Sequence, residues 1–272
     1  MKRIINYPPS RGQRLFLGIL PFLLILLVYV LASEVRLSVN PTDKLMPALT
    51  SFKAAMERMM FTPDKASGTL LFWWDTYLSL WRLIVGLGLC ALLGLVLGTP
   101  IGFIPQLRAA FDPVLAAISL VPPLAVLPIL FILFGLGEVS KIVLIVFGVA
   151  PCLMRDVVLR IDAIPREQII KAQTLGGSTW QMMTHVILPQ ILPGLINAVR
   201  LQLGATWLFV IAAEAITAEG GLGYRVFLVR RYLAMDVILP YVIWITLLAF
   251  LIDLALRKLS ARLFPWSVLK EG

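Results

Sequence analysis

Two charge-free apolar runs constrain this chain more than any other feature of it. Leu15–Ala32 is 18 residues long and Pro113–Gly137 is 25, and neither contains an Asp, Glu, Lys or Arg. A helix needs about 20 apolar residues to cross bilayer hydrocarbon, because each residue advances it by only about 1.5 Å. In lipid, every backbone N–H and C=O must be bonded within the chain, so runs of this kind fold as helices. The sequence is therefore read as an all-α integral membrane protein. Composition agrees, with 14% charged residues against about 25% in soluble domains.

Four further spans complete a count of six. Leu83–Ile104 is long enough by itself, while Pro193–Ala215, which carries Arg200 and Glu214, and Val237–Leu256 have spanning length and, like the fourth span, rest in part on the resemblance given below. Ile142–Met154 has only 13 uncharged residues and reaches spanning length if it starts near Leu136, with Lys141 snorkelling outward. No small-residue cleavage site follows the first run, so it is expected to remain as a span. Basic residues flank both ends of the chain: Lys2, Arg3, Arg11 and Arg14, then Arg257, Lys258, Arg262 and Lys270. By the positive-inside rule both termini are expected in the cytoplasm. The net charge of +9 is thus read as topology and contact with lipid headgroups, not nucleic acid. The expected organisation is a cytoplasmic tail (1–14), a first transmembrane helix (15–32), a periplasmic connector (33–74), a membrane domain (75–258) and a cytoplasmic tail (259–272). Within the connector Met46, Leu49, Phe52, Met56 and Met59 fall on one helical face.

Two spans carry packing signals. Gly86, Cys90, Gly94, Gly98 and Gly102 recur every four residues, a stripe that lets another helix come close, within one subunit or between two. Pro122, Pro123 and Pro128 interrupt the third span. Broken helices at membrane depth are tolerated where protein or a water-filled path satisfies the freed backbone groups. Val121, Pro122, Pro123, Ala125, Val126 and Pro128 are accordingly candidates for a translocation path, the competing reading being a kink needed for packing. Glu214 joins them as one of two acids near the spans. The other, Asp253, is spaced to pair with Arg257 one turn on.

The longest polar interval in the C-terminal two-thirds is Arg155–Pro193, too long for a simple turn between spans. Pro165 suits a helix start, Gly176-Gly177 a helix end, and Ser178 the cap of a second short helix that Pro189 is expected to close. The plain alternative is an amphipathic connector with no partner.

Aligned on Gly176, this loop reads Ile170-Lys171-Ala172, three residues, Gly176, nine residues, then Val186-x-Leu188-Pro189. That resembles the E-A-A, G, I-x-L-P motif of ATP-binding-cassette (ABC) importer permeases, with the glycine, the spacing and the Leu-Pro kept and the first two residues changed. SLWR at Ser79–Arg82, VPPLAVLP at Val121–Pro128, FGLGEVSK at Phe134–Lys141 and GLGY at Gly221–Tyr224 are similar to strings of the nitrate, sulfonate and taurine branch. The resemblance implies a type I permease core of five helices preceded by one N-terminal span, in a bacterial inner membrane. It implies a homodimer working with two cytoplasmic ATPase subunits and a periplasmic substrate-binding protein. It places the ATPase contact at Glu167, Gln168, Lys171, Ala172, Gly176, Leu188 and Pro189. Glu167 is the candidate for the acidic contact that Ile170 cannot supply.

The sequence carries no phosphate-binding G-x-x-x-x-G-K-[ST] loop, no nucleophile elbow and a single histidine, His185. No catalytic residue, metal site or cofactor is expected. Cys90 and Cys152 both lie in apolar runs, which argues against a disulfide framework. Proton- or sodium-coupled carriers place ionisable groups near mid-membrane, and these spans are poor in acids. That disfavours a self-sufficient secondary transporter or channel, and the three-proline span argues against a passive scaffold.

Overall fold

A computed structural model describes residues 10–40, 43–64, 68–217 and 219–268. Lys2, Arg3 and Lys270 of the basic tails lie outside the described residues. Among the described residues all regular structure is helical.

Helix α1 (Arg11–Val39) starts earlier and ends later than its apolar run. Ser10 and Gln13 close a reciprocal capping box at its start. Its apolar side chains are mostly exposed along its length, so lipid or another chain must cover them. It is fixed near its far end. The Tyr29 hydroxyl donates to the Pro47 carbonyl at 2.8 Å, Ser33 donates to the Met46 carbonyl at 2.9 Å, and Arg36 pairs with Asp43. The Leu45 N–H, and after it the Arg36 guanidinium, hold the Asp43 carboxyl below its ordinary range. Helix α2 (Leu49–Phe61) turns Ala55, Met56, Met59 and Met60 onto the bundle.

Helix α3 (Leu71–Val96) continues into the short α4 (Gly98–Phe103), and the two make one span, Leu71–Phe103. The span begins at Leu71 rather than Leu83, because Asp75 and Arg82 are neutralised by partners inside the protein. The glycine stripe packs within this subunit, against α7 (Glu138–Asp162). A Cβ at Gly86 would lie 2.8 Å from Ile145, one at Gly94 3.3 Å from Leu153, and one at Gly102 2.7 Å from Ile161. Both sets of numbers rise together, so α3–α4 and α7 lie parallel, and the small residues permit the close approach.

The three-proline span resolves into α5 (Pro105–Leu120) and α6 (Pro123–Phe134), bent by 97°. The break falls at Val121–Pro122 alone. Pro113 and Pro128 sit inside helices. Helix α7 extends to Asp162 and so absorbs the first turns of the polar interval. Lys141 does not snorkel. Its side chain is 4% exposed and its ammonium bonds Glu138 at 2.7 Å.

After α8 (Arg166–Thr174), α9 (Thr179–Gln181) passes through a π-helical turn (Met182–Ile187) into α10 (Leu188–Leu201). Pro189 therefore does not close the second loop helix. In the π turn the Leu188 N–H reaches back five residues to the Met183 carbonyl, and the missing N–H of Pro189 falls where the bonding register is already shifted. The expected fifth span is two pieces, α10 and α11 (Leu203–Thr217), parted at Gln202. Helices α12 (Leu222–Arg230), α13 (Met235–Leu263) and α14 (Pro265–Val268) complete the chain. Among the described residues five helices are long and apolar enough to cross a membrane, or six counting the α5–α6 pair as one.

Candidate functional site

Two regions concentrate polar chemistry, one near the start of α3 and one on α8–α9. At the first, Asp75, Ser79 and Arg82 are spaced by four and three residues, so α3 presents all three on one face. Each is 2% exposed or less. They hold the Gly220–Gly223 turn. The Gly221 N–H donates to Asp75 Oδ1 at 2.9 Å, the Leu222 N–H to Ser79 Oγ at 2.8 Å, and Arg82 Nη1 to the Gly220 carbonyl at 2.9 Å. Gly221 has φ +126°, and a Cβ on it would lie 2.5 Å from the Glu214 carboxyl carbon, so only glycine fits there.

Glu214 is wholly buried. Its carboxylate accepts from Ser79 Oγ at 2.7 Å, Arg82 Nη1 at 2.7 Å and the Gly223 N–H at 2.8 Å. Arg82 turns its other edge to Glu138, with Nε at 2.6 Å and Nη2 at 2.7 Å. Arg225 Nε bonds Asp75 Oδ2 at 2.8 Å. A buried charge is tolerated when it is paired and its remaining hydrogen-bond positions are filled, and this network meets both conditions. Glu214, placed with the path candidates by sequence, is thus enclosed within this subunit. It anchors the turn, and its partners all lie on α3 and in Gly220–Gly223. The i, i+4, i+7 spacing of Asp75, Ser79 and Arg82 was the sequence signal for this cluster, and a path-centred reading missed it.

The second region is the helix–glycine–helix loop. Helix α8 buries none of its residues. It ends in a Schellman motif, in which the Gly177 N–H bonds the Ala172 carbonyl at 3.0 Å and the Gly176 N–H bonds the Gln173 carbonyl at 2.9 Å. Gly176 has φ +81°, a backbone region that costs other residues about 1–2 kcal/mol. Ser178 and Gln181 form a capping box on the next helix.

Glu167, Gln168, Lys171 and Gly176 are exposed, Ala172 is half-covered, and Leu188 and Pro189 sit partly covered at the joint with α10. Ala172 lines a concavity of about 280 Å³ together with Leu175, Met182 and His185. Gln190 Nε2 donates to Gln168 Oε1 at 2.9 Å, tying α10 to α8. Three apolar side chains on this loop face outward without cover: Leu175 (88% exposed), Trp180 (68%) and Ile170 (55%). Exposed apolar side chains on an otherwise polar loop are a feature of surfaces that contact protein or membrane. Sequence reading did not select Leu175 or Trp180, though both flank the Gly-Gly pair.

The proline-bend residues are placed together. Val121, Pro122, Ala125 and Pro128 are exposed, and Pro123 and Val126 are partly covered. Away from both regions, Asp253 pairs with Arg257 at 3.2 Å, but its closer partner is Arg200 of α10, at 2.7 Å.

The profile of the family "Binding-protein-dependent transport system inner membrane component" matches residues 90–265. The chain is 38% identical over 194 residues to the taurine transport system permease protein TauC of Escherichia coli, covering 71% of this chain and 70% of that protein. It is 31% identical to the putative aliphatic sulfonates transport permease protein SsuC of Bacillus subtilis, over 72% of this chain and 71% of that one. Among solved structures, a chain from inward-facing conformations of the MetNI methionine ABC transporter superposes with a TM-score of 0.60. It covers 70% of this chain and 97% of that one at 22% identity.

Proposed function

The chain belongs to the family of binding-protein-dependent transport system inner membrane components, and from that premise we propose that it forms the translocation path for a small oxyanion such as a sulfonate, taurine or nitrate. It is the multi-pass inner-membrane permease subunit of an ABC importer, and ATP hydrolysis belongs to a separate subunit. The solute class rests on relatives named for taurine and aliphatic sulfonates. Two copies of the chain enclose the path, with the Val121–Pro128 bend beside it, and a periplasmic binding protein delivers the solute. Both termini and the 155–193 loop face the cytoplasm, and 33–76 and 218–235 face outward.

The observation that carries the coupling role is the exposed set Ile170, Leu175 and Trp180 around Gly176. On this reading they seat against the ATPase, with Glu167, Gln168, Lys171 and Ala172 around them. Closure of two ATPases then draws two such loops together and rocks the spans by rigid-body motion. The test is reconstitution in liposomes with the cognate ATPase and binding protein. Uptake of labelled taurine or ethanesulfonate is expected only with all components and ATP. Uptake by this chain alone would overturn the reading in favour of a secondary carrier or channel.

A further inference from the structure

Resting on the anion-importer reading above, we propose that Arg82 and Lys141 form an oxyanion-binding pair at the outer mouth of the permease. The Glu138 carboxylate fills this pair at rest, and an incoming sulfonate displaces it.

A cavity of about 570 Å³ lies at the end of the bundle where α3 and α7 begin. Arg82, Glu138, Lys141, Trp74, Leu78 and Glu219 line it. Arg82 and Lys141 are 2% and 3% exposed, yet both contribute to its wall. Two cations so far out of water require an anion at all times, because an unpaired buried charge is strongly destabilising. One arm of Arg82 is committed, since Nη1 holds Glu214 and the Gly220 carbonyl. The other edge, Nε and Nη2, presents two parallel donors to Glu138, and Lys141 Nζ adds a third at 2.7 Å. This fork matches any group with two or three terminal oxygens, a sulfonate as well as a carboxylate.

Glu138 is the releasable partner. Its side chain is 48% exposed, whereas that of Glu214 is 0% exposed. It opens α7 directly after the Gly135–Leu136–Gly137 turn, where Gly135 has φ +74° and has nothing within 4 Å of where a Cβ would stand. Exchange conserves charge, because one anion leaves the fork for the hydrated cavity as another enters. The Arg82 fork keeps its position throughout, since Nη1 stays bound. Trp74 and Leu78 offer apolar surface to an alkyl chain, and the exposed Glu219 carboxylate suits a substrate ammonium group. A short aminosulfonate combines all three features.

The test uses the full chain purified in a maltoside detergent, which presents no phosphate. Equilibrium binding is measured for taurine and ethanesulfonate, with ethanesulfonamide as the uncharged analogue. Wild type is expected to bind the sulfonates weakly, because its own carboxylate competes. Glu138→Gln removes that competitor and is expected to bind them about tenfold more tightly, since the competent fraction of sites rises. The same variant is expected to lose thermal stability and to regain it on addition of ethanesulfonate but not of ethanesulfonamide. Lys141→Met is expected to abolish binding. Glu138→Asp, whose carboxylate is one methylene short, serves the same comparison with charge kept.

A purely structural ion pair predicts destabilisation with neither tightening nor sulfonate rescue, and that result overturns the proposal. Loss of sulfonate binding when phospholipid is added would assign the pair to lipid headgroups and also overturn it. If no sulfonate binds while ATP-driven sulfonate uptake persists in the assembled transporter, this site fails and the importer reading stands. If the assembled transporter moves only uncharged solutes, the anion reading itself fails.

Discussion

Arg82 and Glu214 meet at 2.7 Å across 132 positions of sequence, with side chains 3% and 0% exposed. This contact ties α3 to α11 and, through the Gly220 carbonyl and the Gly223 N–H, to the turn before α12 and to the first turn of α12 itself. Glu214→Leu leaves the buried cations Arg82 and Lys141 to share the single carboxylate of Glu138. It is expected to cost about 3–5 kcal/mol, the usual loss when one partner of a buried pair is removed. Thermal unfolding of the purified chain checks this, together with faster proteolysis at Gly220–Gly223. An unchanged midpoint would remove the network from the list of what holds the fold.

Gly86 and Gly88 lie two positions apart on α3 and behave oppositely. Gly86→Ala drives a methyl to 2.8 Å from Ile145 and is expected to destabilise by about 1–3 kcal/mol through overpacking. Gly88 has nothing within 4 Å of its Cβ position, so Gly88→Ala is expected to stabilise the helix by about 0.5–1 kcal/mol. The two unfolding midpoints should move in opposite directions, and equal shifts would contradict the α3–α7 register.

Leu175→Ser and Trp180→Ser touch side chains that the folded chain leaves uncovered. Both are expected to leave the permease inserted and as stable as wild type, within about 0.5 kcal/mol. Both are expected to weaken co-purification with the ATPase by tenfold or more, about 1.4 kcal/mol. Gly176→Ala acts differently. It strains the positive-φ position at a cost of about 1–2 kcal/mol and disturbs the loop itself. Normal ATPase association in the double variant Leu175→Ser/Trp180→Ser would place the coupling surface elsewhere.

Orientation is tested with single cysteines. Lys53, 78% exposed on α2, replaced by Cys is expected to react with an impermeant maleimide in intact spheroplasts. Gln168→Cys is expected to react only after permeabilisation. The reverse pattern would invert the topology and place the 155–193 loop outside.

Much of the architecture is legible in the sequence because lipid leaves the backbone few options. Apolar length finds the first three spans, the later three draw on the family strings as well, and Gly176-Gly177 with Ser178 marks the loop's helix end and next cap. Span boundaries were less legible. Charged residues such as Asp75 and Arg82 look like span ends, but each is neutralised by a partner far along the chain, and a hydropathy window sees no distant partner. Pro189 misled for a related reason. Whether a proline stops a helix depends on the bonding register just before it, and the π turn is visible only in three dimensions. Glu214 was conspicuous as a lone acid near a span, yet its role follows from Ser79 and Arg82, which local patterning does not connect to it.

The π-helical turn at Met182–Ile187 has a mechanical consequence. Because the hydrogen-bonded helix continues from Thr179 to Leu201, Trp180 and Ile191 ride on one shaft rather than on two rods joined by a swivel. A load applied near Trp180 is not lost in slack at Leu188–Pro189. It arrives in the membrane as leverage on the bundle, with Arg200 and Asp253 as the latch at the shaft's far end.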